Sequence, residues 1–88
     1  MRFNEEQSKK IYRAVHRAMI EHNKPMDIVF DYEDNTARPI ASGCASEYHA
    51  VVMENVTPSD FGPDFDPEDF TEDEFVEMCM ECLGNVEA

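Results

Sequence analysis

Two pairs of residues in this chain have the types and spacing of zinc ligands. Cys44 and His49 form a Cys-x4-His pair, and Cys79 and Cys82 form a Cys-x2-Cys pair. Together they would supply the thiolate and imidazole donors of a tetrahedral structural site. Cys-x2-Cys is also the spacing of thiol–disulfide exchange centres, which need a stabilised thiolate. The neighbourhood argues against both uses. Cys79 and Cys82 fall on one helical face with Phe75 and Met78, where a free cysteine behaves as a small hydrophobe. Zinc knuckles set the pair in a tight turn, whereas here Gly84 comes only after it. The acids Glu77 and Glu81 work against a reactive thiolate. The reading is therefore no metal and no cofactor, with Cys44, His49, Cys79 and Cys82 kept as the alternative zinc set.

Other catalytic or ligand patterns fail on inspection. Asp64, Asp66 and Glu68 alternate like the start of an EF-hand loop, but Asp69 stands where that loop needs glycine and Phe75 where it needs a bidentate glutamate. His16, His22 and His49 form no triad with a nucleophile, and His16 and His22, six residues apart, do not share a helix face. The chain has no Gly-rich phosphate loop, nucleophile elbow or His-Glu-x-x-His pattern. The three histidines read as structural or surface residues, and the protein as a non-enzyme.

What stands out instead is the distribution of charge. The 88 residues hold 20 acidic and seven basic side chains, for a formal net charge of −13. From Glu54 onward there are twelve acids and no Lys or Arg, while residues 1–53 are near neutral. A surface this one-sided suits a positive partner. It excludes direct contact with nucleic acid or an anionic membrane, which needs Lys and Arg. No apolar run approaches a membrane span, and Met1–Glu6 has no apolar core of a signal peptide. Three cysteines without such a signal read as reduced thiols, so a cytoplasmic location is expected.

The elements that must present this charge are legible from pattern. Asn4 caps a helix over 5–23, whose apolar face is Ile11, Val15, Ala18, Met19 and His22. Lys9, Arg13 and Arg17 make a basic row on it, and Pro25 ends it. Residues 26–55 read as a β region. Met26–Tyr32 is a strand with Ile28 and Phe30 on one face and Val29 opposite. Thr36–Ser42 is an edge strand because of Pro39, and Tyr48–Asn55 is a third. Residues 56–70 repeat Asp-Phe pairs among three prolines and read as irregular chain pinned by buried rings, with a turn of helix starting at Asp66-Pro67. A second helix over 71–83 opens on a Thr71/Glu74 capping box and stops at Gly84. The expected architecture is one small α+β domain, two helices packed on an antiparallel sheet of two or three strands.

On the second helix, Asp73, Glu77 and Glu81 form a row at i, i+4, i+8. Such a row places a charge every ~6 Å along the axis, against one phosphate per ~3.4 Å on a DNA strand. Two rows and the preceding loop approach that density. In size and charge the chain resembles the small acidic DNA-mimic inhibitors that phages and mobile elements encode, anti-CRISPR and anti-restriction proteins among them. That class shares no common fold, so no residue role carries over. The resemblance implies an inhibitor that occupies the nucleic-acid-binding surface of a basic protein such as a CRISPR effector or restriction enzyme, in the host cytoplasm. The expected contact residues are Asp64, Asp66, Glu68, Asp69, Glu72, Asp73, Glu77 and Glu81. The alternative to it and to the zinc protein is an adaptor module, in which the acidic face meets the basic first helix of another copy to form a homo-oligomer.

Overall fold

The structure, a computed structural model, describes residues 2–88. Its order is helix α1 (Glu5–Glu21), strands β1 (Met26–Asp31), β2 (Thr36–Ala41) and β3 (His49–Val56), two short 3-10 turns (Pro58–Phe61 and Pro67–Asp69) and helix α2 (Glu72–Cys82). The strands form one antiparallel sheet with β1 in the centre, in the order β2-β1-β3. This is the α+β architecture that the hydrophobic pattern predicts. Helix α1 lies against all three strands, and α2 packs chiefly on α1.

Local chemistry sets the boundaries. The Asn4 side chain accepts the Gln7 N–H at 2.8 Å, and the Gln7 side chain accepts the Asn4 N–H at 3.1 Å, a reciprocal cap that satisfies otherwise orphaned donors. Thr71 and Glu74 do the same for α2, at 3.1 and 2.9 Å. The bond from the Thr71 backbone N–H, with the Thr71 hydroxyl adding to it, holds the Glu74 carboxyl below its usual range. Gly84, at φ 73°, ends the helix in the left-handed conformation that glycine adopts without strain. Asp31 accepts the N–H groups of Glu33 and Asp34 and shapes the β1–β2 turn.

The core is built from Phe3, Ile11, Val15, Ile28, Phe30 and Phe75, with Val76, Cys79 and Val86 beside them. Two details go beyond the pattern. Val29, on the face opposite Ile28 and Phe30, is fully buried as well. It lies in the central strand, paired with Arg38 on β2 and Val51 on β3. The ends of the chain also meet. The Phe3 N–H donates to the Val86 carbonyl at 2.9 Å, and the Val86 N–H donates to the buried Ser8 hydroxyl at 2.9 Å. This closure seats Phe3 over Phe30 at 5.2 Å between ring centroids. Among the described residues no helix is long and apolar enough to cross a membrane.

Strand β3 has two register irregularities against β1, each one residue longer on β3. At the second, Asn55 takes a left-handed φ of 52°, and its N–H leaves the ladder, as at a bulge. The buried Asp27 carboxylate takes that N–H at 2.9 Å and the Gly43 N–H at 3.0 Å. One side chain thus anchors both the bulge and the β2–β3 loop. The bonds from Gly43, then Asn55, outweigh burial and hold the Asp27 carboxyl below the usual carboxylate range, with Ser42 adding to them. A carboxyl with a depressed folded pKa stabilises the fold above its unfolded pKa and ceases to do so as pH falls through the folded value. Asp27→Asn is therefore expected to lower stability by about 2 kcal/mol at neutral pH, the scale of hydrogen bonds to a charged group. The deficit should begin to shrink below pH ~4 and vanish as pH falls through the lowered folded pKa, where the Asp27 carboxyl is uncharged as well. Urea unfolding at the two pH values checks this, and an equal deficit at both would refute it.

Candidate partner-binding surface

The acidic third is folded onto the rest by aromatic packing and one histidine. Phe75 on α2 is fully buried and contacts Phe61 edge-on at 5.4 Å and Phe65 at 6.0 Å. Phe65 in turn stacks on Phe70 at 5.5 Å, with 12° between the rings. The Asp-Phe repeats of residues 56–70 therefore turn their rings inward and their carboxylates outward. Thr57 and Asp66 cap the two short turns. The buried His16 on α1 places Nε2 3.0 Å from the Pro67 carbonyl and 3.1 Å from the Phe70 carbonyl. Both are acceptors, so Nε2 carries the proton. His16 is thus a structural pin between the basic helix and the acidic segment, a role that spacing alone does not reveal.

Of the eight acids expected to meet a partner, seven are exposed: Asp64, Asp66, Glu68, Asp69, Asp73, Glu77 and Glu81. Glu72 differs. It is half-buried and lies 3.8 Å from both Arg13 and Arg17. Arg13 and Arg17 of the basic row of α1 are therefore drawn against the first turn of α2. At these distances and exposures each pair contributes at most about 1 kcal/mol, but together they offset the charge of Glu72 and engage two of the cations that head-to-tail pairing would use.

The alternative zinc set does not assemble. Among the described residues no group of three or more His, Cys, Asp or Glu side chains is placed to hold a metal ion. Cys79 is buried and Cys44 and Cys82 are exposed, all as free thiols. The exposure of Cys82 departs from the expected shared apolar face: it lies in the last turn of α2, beyond the cover of the core. Burial, with Cys82 close by, pushes the Cys79 thiol up to about 12. Asp64, Asp66 and Glu68 build no calcium loop either, and Asp66 directs an oxygen to the Glu68 N–H at 2.9 Å.

His49 instead joins a network on the sheet. Its Nε2 lies 2.8 Å from Arg38 Nη2, and its Nδ1 lies 3.2 Å from the Ser46 hydroxyl. Asp31 sits 3.6 Å from Arg38 and 4.0 Å from the His49 ring. The residue types resemble a nucleophilic triad, but the roles do not fit. Arginine can only donate, so Nε2 accepts and Nδ1 bears the proton toward Ser46. A ring in that state cannot take a proton from the serine at Nδ1. Burial raises the Asp31 pKa, but the N–H groups of Asp34 and Glu33 and the nearby Arg38 charge more than offset it, so the net shift is downward.

No family model, curated protein or solved structure matches this chain.

Two measurements test this arrangement. A colorimetric thiol reagent should modify two cysteines at once and Cys79 only after denaturation; rapid modification of all three would contradict its burial. His16→Ala should speed amide hydrogen exchange at Asp69 and Phe70 by about tenfold or more, since a lost buried hydrogen bond of ~1–3 kcal/mol loosens the segment that it holds. Unchanged exchange would mean that the rings alone fix it.

Proposed function

We propose that this protein is a non-enzymatic inhibitor whose acidic third occupies the nucleic-acid-binding surface of a basic target protein. The observation that carries this reading is the seven exposed carboxylates on a segment packed through Phe75 and bonded to His16, with the neighbouring arginines already engaged at Glu72. Fixed charges act at an interface without the entropy loss of ordering a tail. They steer a cationic partner and take the place of phosphates along its groove. The reading extends to a CRISPR effector or restriction enzyme as the target class, in the cytoplasm of a host cell.

The adaptor reading is less well supported, because Arg13 and Arg17 meet Glu72 of their own chain. The zinc reading lacks an assembled ligand set among the described residues.

The test is capture from a bacterial lysate at about 0.1 M and about 0.5 M salt, since the screening length falls from ~10 Å toward ~4 Å over that range. Nucleic-acid-binding proteins should be retained at low salt, released at high salt and displaced by added DNA. The variant Asp73→Lys/Glu77→Lys/Glu81→Lys should fold and lose at least about tenfold in capture, the scale on which charge reversal alters steered binding. Undiminished capture by that variant would overturn the reading.

A further inference from the structure

The inward-turned rings do not close the surface. Between the 3-10 segment and the C-terminal half of α2 they leave a groove of about 380 Å³. Phe61, Phe65 and Phe70 form one wall, and Met78, Cys82 and Leu83 the other. The three rings and Met78 are only partly buried. Leu83 is 62% exposed, one of the few large apolar side chains left to solvent. The volume falls within the ~300–1,000 Å³ range of pockets that hold a bound group. A larger cavity of about 650 Å³ lies under the joined chain ends, but Arg2 and Glu87 in its wall are paired with each other at 2.8 Å.

The groove is apolar inside and acidic around its rim. Asp60 lines it directly. Other wall residues have exposed acids next to them in the chain: Asp64 by Phe65, Asp69 by Phe70, Glu77 by Met78 and Glu81 by Cys82. At ~100° per residue, Glu77 lies ~100° around the axis from Met78, and Glu81 lies ~60° from Met78 and ~100° from Cys82, so these two carboxylates border that wall, while Asp73 sits farther round. No Lys or Arg occurs anywhere in residues 54–88. A surface that only replaced phosphates would have no use for an apolar recess at its centre. Interfaces derive most of their affinity from such recesses, where one buried anchor is ringed by polar contacts.

We propose that this groove is the docking site for a Lys/Arg-rich peptide segment that carries one large apolar side chain. The inference rests on the inhibitor reading for its biological setting and names the part of the target that is gripped. The apolar side chain enters between Phe65 and Leu83, and flanking cations meet the acidic rim. Charge complementarity selects this occupant over a second copy of the chain, whose basic helix already faces Glu72.

Three short fluorescent peptides test it by anisotropy: an Arg-flanked leucine peptide, the same peptide with glycine for leucine, and a Ser-flanked leucine peptide. The first should bind roughly tenfold or more tighter than either control, the scale of burying one large apolar side chain. Leu83→Ser should reduce it to the level of the glycine peptide and leave the glycine peptide unchanged. A bulky maleimide adduct on Cys82 in a Cys44→Ser chain should do the same and decides the matter if Leu83→Ser fails to fold. Equal binding of the leucine and glycine Arg-peptides would overturn the groove and leave charge mimicry standing. Equal binding of the two leucine peptides, or binding of none, would also overturn it. Charge mimicry has its own point of failure, undiminished capture by the Asp73/Glu77/Glu81 reversal, so the two inferences fail separately.

Discussion

Self-repulsion is the constraint that the rest of this structure answers. Twelve acids without a cation between them would by themselves keep residues 54–88 expanded. Each like-charged i, i+4 pair along Asp73, Glu77 and Glu81 costs a few tenths of a kcal/mol. Full burial of one large apolar side chain such as Phe75 returns ~1.5–3 kcal/mol. The apolar term wins because the rings are spaced to converge on Phe75 and because carboxylates at the surface are well hydrated and screened. His16 then fixes the direction from which the segment approaches α1. The result is a radius of gyration of 12.1 Å, the value of about 12 Å that a fully folded chain of this length has.

The fold divides its carboxylates into two kinds. Asp27, Asp31 and Glu74 accept backbone N–H groups and are part of the framework, and the pKa of each is lowered by those bonds. Asp27 is the clearest case, since a bulge in an edge strand leaves a donor that only an inward-facing acceptor can satisfy. Most acids of the candidate surface are of the other kind, the exceptions being Asp66, which accepts the Glu68 N–H, and Glu72, which meets Arg13 and Arg17. A net charge of −13 therefore says little about how many acids are free to meet a partner; the hydrogen-bond pattern does.

Much of this was legible in the sequence because it depends on local rules. The caps at Asn4 and Thr71, the stop at Gly84, the strand at Met26 and the turn at Asp66-Pro67 each follow from residues within one turn of one another. Strand and helix limits fall within two residues of the pattern. The outward orientation of Asp73, Glu77 and Glu81 follows from helical period. What the sequence hid depends on contacts across long separations. His16 meets Phe70 54 residues away, Ser8 meets Val86 78 residues away, and Tyr12 reaches Gly84 across 72. No periodicity encodes these. Alternation puts Val29 on the face opposite Ile28 and Phe30 but does not tell that it is buried there, in the central strand. The groove was invisible for the same reason, since its two walls belong to segments whose packing is set by Phe75 rather than by their own pattern.

The acids that line the surface are also uncommitted. Among the described residues, Asp64, Glu68, Asp69, Asp73, Glu77 and Glu81 make no side-chain hydrogen bond or ion pair within the chain. Each can be exchanged for another polar residue with little consequence for folding, as surface substitutions away from caps and cores generally can. Framework and display are thus separable layers. Such a chain can drift in the charges that it displays while its scaffold stays constant, and it offers the same latitude to anyone who wishes to re-aim it.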